Sequence, residues 1–331
     1  MSLCFCGLDR IKFKLRQRRS IEIIEWWVRT IVNRMRKSIS CWMRITIKIV
    51  LARLPIPYGF WKRLRIFEHR DMNQPQRALD NFLEHAVMAV VLDMKSQLPQ
   101  LKVKGDGFTV LELGAGDSLF SAVVARLLGS LRSWLVDVGA YAATYMAAYV
   151  GLFNLLRYKG LALPLDTEPM VLADVLKACG GKYLTQGVGS LAQVPKASID
   201  FCFSNAVLEH IPKGDFNKLA DELLRILKPN GVCVHRVDLK DHLGGGLNNL
   251  RFSEAMWEGA LFRNSGFYTN RIRFGEMVAL FEAVGFECSL PRIVRWEKLP
   301  LSRLELDASF RQFPEEDLLV SGFDIVLRCA A

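Results

Sequence analysis

Between Phe108 and Leu327 short apolar runs alternate with helical stretches, and this alternation narrows the choice of fold more than any other feature. Runs at Thr109–Leu113, Ser133–Val138, Lys182–Leu184, Asp200–Ser204, Gly231–Val237, Glu287–Val294 and Phe323–Leu327 read as strands, with helical sequence between the first five. Strands separated by helices are joined by crossovers that bring the chain back in the same direction. The expected class is therefore α/β with a largely parallel sheet. The first run, Val110-Leu111-Glu112-Leu113, enters Gly114-Ala115-Gly116-Asp117-Ser118, and Leu119–Leu128 then reads as helix. Glycines in that turn let the backbone approach a ligand, and the helix start offers unpaired amides. Position 119 is Leu, so the third glycine of a dinucleotide fingerprint is missing.

The second strand ends at Asp137, 21 residues after Gly116. An acid at that strand end can accept both hydroxyls of a ribose. A third signal is Ser198-Ile199-Asp200-Phe201-Cys202-Phe203-Ser204-Asn205-Ala206-Val207-Leu208-Glu209-His210-Ile211, followed by Leu223-Leu224-Arg225-Ile226-Leu227-Lys228-Pro229-Asn230-Gly231.

Taken in order, these segments resemble the class I S-adenosylmethionine-dependent methyltransferases of the type 11 kind over roughly residues 106–238. The resemblance implies a Rossmann-like seven-stranded methyltransferase sheet and S-adenosyl-L-methionine as cofactor. It implies that Glu112, Gly114, Ala115 and Gly116 form the methionine-side loop, that Asp137 is the ribose acid, and that Asn205 lies near the sulfonium. Where the family often has an acid after strand 3, this chain has Gly187-Val188-Gly189-Ser190-Leu191, so Ser190 and Leu191 are expected at the adenine. The family's Pro-Gly-Gly turn is Pro229-Asn230-Gly231 here, and asparagine is expected to take the left-handed conformation that the turn needs.

After the fifth strand come His235, Asp238, Asp241 and His242, then Asn248-Asn249-Leu250-Arg251 and Tyr268-Thr269-Asn270-Arg271-Ile272-Arg273. Ligands of open α/β sheets lie beyond the carboxyl ends of the strands, so this polar segment is expected to line the acceptor pocket. An alcohol acceptor must lose its proton during transfer, which suits a histidine or an Asp–His pair. His235 or His242 is the expected base, Asp238 or Asp241 the orienting acid, and His210 a further candidate. Their spacing matches no standard metal motif, and no metal is expected at the site.

Charge is concentrated in an arm. Residues 1–70 hold 17 Lys/Arg and 4 Asp/Glu, +13, while the rest hold 27 and 30, −3. Ile21, Ile24, Val28, Ile31 and Met35 fall on one helical face, with Trp26 and Trp27 beside it and Arg29, Arg34 and Arg36 off it. A basic helix with tryptophans suits an anionic membrane interface, and residues 10–53 are expected to make that peripheral contact. Packing on the body, dimerisation, a nucleic-acid arm and a targeting peptide are the other readings of the same stripe. The near-neutral body disfavours nucleic acid as a partner. No secretory signal is read, and the uncharged stretch Val138–Leu156 is expected to be a helix that covers the sheet or caps the pocket. Eight scattered cysteines without a CxxC pair point to a reducing, cytoplasmic setting and away from structural zinc.

The expected organisation is a basic helical extension over 1–70, a helical lead-in or cap over 71–105 and a methyltransferase domain over 106–331. Within the lead-in, Asn73 is the expected N-cap of a helix reaching about Met94. The expected acceptor is a small molecule or a glycan, by a looser likeness to methyltransferases of bacterial surface-polysaccharide biosynthesis. A lipid-linked acceptor and a non-catalytic cofactor-binding scaffold remain the alternatives.

Overall fold

A computed structural model of the chain describes residues 43, 45, 46, 74–89, 107–161 and 171–330. Apart from Met43, Ile45 and Thr46, which are helical, the expected basic arm lies outside the described residues, as do the break at 54–59 and the boundary at Pro99. By its contacts the chain divides into two units, Met1–Glu68 with Ala260–Phe267, and His69–Gly259 with Tyr268–Ala331. In the first unit, Phe262 meets Phe267 edge to face at 5.9 Å.

The second unit carries a seven-stranded sheet in the order β3-β2-β1-β4-β5-β7-β6. Its strands are β1 Phe108–Leu113, β2 Ser130–Val136, β3 Gly181–Leu184, β4 Ile199–Asn205, β5 Leu227–Asp238, β6 Phe286–Arg295 and β7 Val320–Cys329. The pairs among β1 to β5 are parallel, and β7 runs antiparallel to both β5 and β6. All seven expected strands are present, and this order is the class I methyltransferase sheet. Asp137 is the first residue beyond β2 rather than its last.

Helices cover both faces because the strands alternate between two apolar sets. Leu111, Leu113, Cys202, Cys233 and Val237 pack under α5 (Phe216–Ile226) and α6 (Phe274–Val284). Val110, Phe201, Phe203, Val232 and Val234 pack under α1 (Pro75–Met88) and α2 (Phe120–Leu127). The helices α3 (Met146–Tyr158) and α4 (Leu172–Ala178) extend the second layer around Phe120, Leu135 and Val175. The apolar stretch after β2 is thus a loop followed by α3, which buries Tyr149, Leu152, Phe153 and Leu156. No described helix is long and apolar enough to cross a membrane.

Two local expectations change. Pro75 is the first helical residue of α1, so the N-cap is Gln74, held extended at ψ 119° by the proline ring that follows it, and not Asn73. The helix ends at Met88 instead of reaching Met94. The start of β5 also holds no left-handed turn at Asn230. The described non-glycine residues with positive φ are Ala197, Ala206 and Arg271, and Asn230 is not among them. Residues 228–231 instead bulge from β5, between the pairs Ile199–Leu227 and Phe201–Val232. A Cβ on Gly231 would lie 2.7 Å from the Ile199 carbonyl oxygen. Asp200 accepts from Thr109 N at 2.9 Å and from Lys228 Nζ at 2.7 Å, so it ties β1 and β5 to β4.

Candidate active site

The cofactor side begins at the ends of β1 and β2. Gly114 (φ 71°) donates its amide to Val136 O at 2.7 Å, and a side chain there would run into Val207. Gly116 (φ 65°) donates to Asp137 Oδ2 at 2.8 Å, and Val138 N donates to Oδ1 at 2.7 Å. The Asp137 backbone is held by Leu184 O and Gly187 N, both at 2.8 Å. Its carboxylate is therefore presented beside the glycine turn. Glu112 lies on the opposite pleat from Leu111 and Leu113, buried, and accepts from the Ser121 hydroxyl. Burial pushes its carboxyl up to about 7, the Ser121 hydroxyl pulls it back, and the Asp137 charge adds to the rise.

A cavity opens over this point. Glu112, Ala115, Ser118, Ser121 and Phe203 line it from the sheet and α2 side, and Ala78, Asn81 and Phe82 from α1. The α1 residues escaped the sequence reading. Their available signal was Asn81, an amide which with His85 interrupts the apolar buried face of that helix.

Two tyrosines shape the loop after Asp137. Tyr183 on β3 donates to Gly139 O at 2.9 Å and accepts from Tyr141 N at 3.2 Å. Tyr149 on α3 donates to Ala143 O at 3.1 Å and accepts from Leu119 N at 3.3 Å. Neither stood out in sequence, because a tyrosine on an apolar face reads as core. Ser190 is fully buried and accepts from Gln186 N at 3.0 Å, so its hydroxyl serves its own loop. Leu191 sits in the core beside Val194.

At the end of β4 the Asn205 Oδ1 is buried without a hydrogen-bond partner. The left-handed Ala206 (φ 56°) turns the chain out of the strand. Beyond it the residues expected to line the acceptor pocket separate into different surroundings. His235 is fully buried, stacked parallel to Phe281 at 6.4 Å, with Nδ1 2.8 Å from Ser204 Oγ. Burial lowers its pKa to about 3, with the nearby His85 adding to the effect, so it stays neutral, and it has no surface to offer an acceptor. Asp241 accepts from Leu243 N, Gly245 N, Gly246 N, Asn248 N and Asn248 Nδ2, all within 3.1 Å. It folds its own loop and orients no histidine by a bond of that set. Asp238 accepts from Lys240 N at 3.1 Å.

His210 and His242 come together instead. Their Nε2 atoms are 3.2 Å apart, the rings stack at 4.9 Å, and His210 Nδ1 is 3.0 Å from Tyr268 O. The segment after residue 267 holds this arrangement. Asn270 Nδ2 donates to Leu208 O and Ile211 O at 2.8 and 2.9 Å, clamping the turn that carries His210. Arg273 Nη2 donates to the carbonyls of Asp317, Leu318 and Val320, and Arg271 Nη1 to that of Phe252.

The sheet order, the glycine turn and the two strand-end acids define a class I S-adenosylmethionine-dependent methyltransferase domain. Residues 111–235 match the type 11 family model, described as "Methyltransferase domain". Among solved structures the chain is similar to three distant ones. An S-adenosylmethionine-dependent methyltransferase from Aquifex aeolicus is 13% identical over 80% of this chain and 94% of that one, TM-score 0.35. An arsenic(III) S-adenosylmethionine methyltransferase from Chlamydomonas reinhardtii is 17% identical over 68% and 64%, TM-score 0.36. A phosphoethanolamine N-methyltransferase from Haemonchus contortus, in complex with phosphomonomethylethanolamine and S-adenosylhomocysteine, is 14% identical over 68% and 49%, TM-score 0.36. No curated protein matches the chain.

Proposed function

We propose that the domain methylates a hydroxyl on a small polar molecule or glycan, and that the His210–His242 pair removes the proton. The observation that carries this reading is the 3.2 Å approach of the two Nε2 atoms just beyond the ends of β4 and β5. The residues around the glycine turn fit the cofactor. Glu112 and Asp137 supply two acids at adjacent strand ends, and Gly114 and Gly116 leave the backbone bare between them. Asp137 would take the ribose hydroxyls and Glu112 the methionine end. S-adenosylmethionine supplies a methyl group already activated on its sulfonium, so the protein's task is alignment and proton removal.

The Tyr268 carbonyl can only accept, so His210 Nδ1 carries the proton there. His210 Nε2 is then the acceptor for His242 Nε2–H, and the unprotonated nitrogen of the pair is His242 Nδ1. In this reading His242 takes the acceptor's proton, and His210 positions it. Asn205, with its buried Oδ1, orients the acceptor. A general base contributes about 100- to 10,000-fold. His242→Gln should therefore lower kcat by about 100-fold or more while leaving S-adenosylhomocysteine affinity unchanged. Labelled methyl transfer to a panel of polyols, sugars and amines checks this. Transfer to amines alone, unimpaired in His242→Gln, would overturn it.

The basic arm favours a second reading, a lipid-linked acceptor reached from the membrane surface, with the domain working as a peripheral protein on the inner face. Its support is the +13 charge of residues 1–70 together with Trp26 and Trp27. The division into an arm over 1–70, a lead-in over 71–105 and a catalytic domain from 106 belongs to the same proposal.

A further inference from the structure

Cys202 and Cys233 are register partners on the parallel strands β4 and β5, and both are fully buried. His235, two residues along β5, shares their face, and one ligand atom from each of the three lies within 4.8 Å of the others. In the tautomer with His235 Nδ1–H donating to Ser204 Oγ, Nε2 carries the ring's lone pair. That nitrogen is buried and has no hydrogen-bond partner. Packing accounts for two buried thiols, since free cysteine behaves as a small apolar group. It does not account for an imidazole nitrogen with no partner in a dry core, which proteins avoid.

We propose that Cys202, Cys233 and His235 form a buried site for a thiophilic metal ion, zinc or copper(I). Soft thiolates with an imidazole select these ions over magnesium or calcium. A ligating histidine characteristically gives its other ring N–H to an oxygen, which is the part Ser204 plays here. Bonds of about 2.3 Å to sulfur and about 2.0 Å to nitrogen suit ligand atoms that lie within 4.8 Å of one another. Each thiol that ligates releases one proton to solvent as its metal–sulfur bond forms, and no electron is transferred. Two thiolates neutralise a divalent zinc ion, which suits a core without counter-charge. Three ligands in a fully buried site suit copper(I). The ion would pin the ends of β4 and β5 together below Asn205, a structural task outside methyl transfer.

The test uses the full chain purified without chelators. Elemental mass spectrometry should find near-stoichiometric zinc or copper. Metal-free protein should then bind zinc or copper(I) against a chromophoric competitor, and the ion found in the protein as purified identifies the site's occupant. Cobalt(II) loading should give thiolate-to-metal charge-transfer absorption with the intensity of two thiolates, lost in Cys202→Ala/Cys233→Ala. Should that variant fail to fold, the wild-type cobalt spectrum decides the matter by itself. No zinc or copper(I) uptake by folded wild-type protein, a spectrum without thiolate bands, or metal retained in the folded double variant would each overturn the proposal.

Discussion

Glu112 and Asp137 sit close enough that the Asp137 charge adds to the rise of the Glu112 carboxyl, and their surroundings differ. Asp137 takes two backbone N–H donors, whereas Glu112 is buried with a single hydroxyl. The folded state therefore keeps the Glu112 proton up to about pH 7, against 4.5 for an ordinary glutamate. Between those values the folded chain binds more protons than the unfolded one. Stability from this group is complete below about pH 4.5 and declines as pH rises to about 7, by about 3 kcal/mol in all. Glu112→Gln keeps the shape without the charge and should flatten that decline in urea unfolding at pH 5 and pH 8; parallel pH profiles for both proteins would contradict it. A cationic ammonium placed beside Glu112 favours its charged form. S-adenosylhomocysteine binding near neutral pH should then release a proton, read as a dependence of calorimetric heat on the buffer. Asp137→Ala should weaken that binding by about 10- to 150-fold, the loss of a charge-assisted hydrogen bond. Unchanged affinity would remove Asp137 from the ribose.

At the scale of elements, the loop between β2 and α3 matters most. Asp137 opens it, and the Tyr183 hydroxyl closes it by bonding both Gly139 and Tyr141. Tyr183→Phe removes those bonds and keeps the ring. It should raise the KM for cofactor several-fold and leave kcat unchanged. In an Asp137→Ala background the same change should have little further effect, because Tyr183 acts through that loop. Fully additive losses would mean that Tyr183 acts elsewhere. Sequence placed every strand because apolar alternation and glycine punctuation are local signals. It did not find Tyr183, Tyr149 or Asn81. The two tyrosines bond partners at least six residues away or on another element, and Asn81 lines the cavity only because its helix lies over β1 and β4, so nothing in their own neighbourhoods reports these roles.

For the whole molecule, charge separates an arm from a body. The +13 of residues 1–70 stands against −3 for the remainder. Cationic residues near an anionic surface contribute about 1 kcal/mol each, and interfacial tryptophans anchor a helix there. Full-length protein should co-sediment with phosphatidylserine vesicles in a salt-dependent way, and Trp26→Ser/Trp27→Ser should reduce that binding. Equal sedimentation of both proteins, or none with wild type, would favour packing or dimerisation of the arm.

The sequence by itself determined the α/β class, the seven strands, the glycine turn and its two acids. These rest on periodicity and on motifs whose chemistry is carried by residues a few positions apart. The tertiary structure alone decided which of these side chains are buried and which meet. His235, His242, Asp238 and Asp241 look interchangeable along eight residues of chain. The pleat turns His235 into the core under Phe281, and five donors draw Asp241 into its own loop. His242 instead meets His210, 32 residues earlier. The same strand pairing sets Cys202 beside Cys233 without any CxxC spacing. Side-chain direction in a sheet depends on register and on what covers each face, and neither is written in the spacing of polar residues.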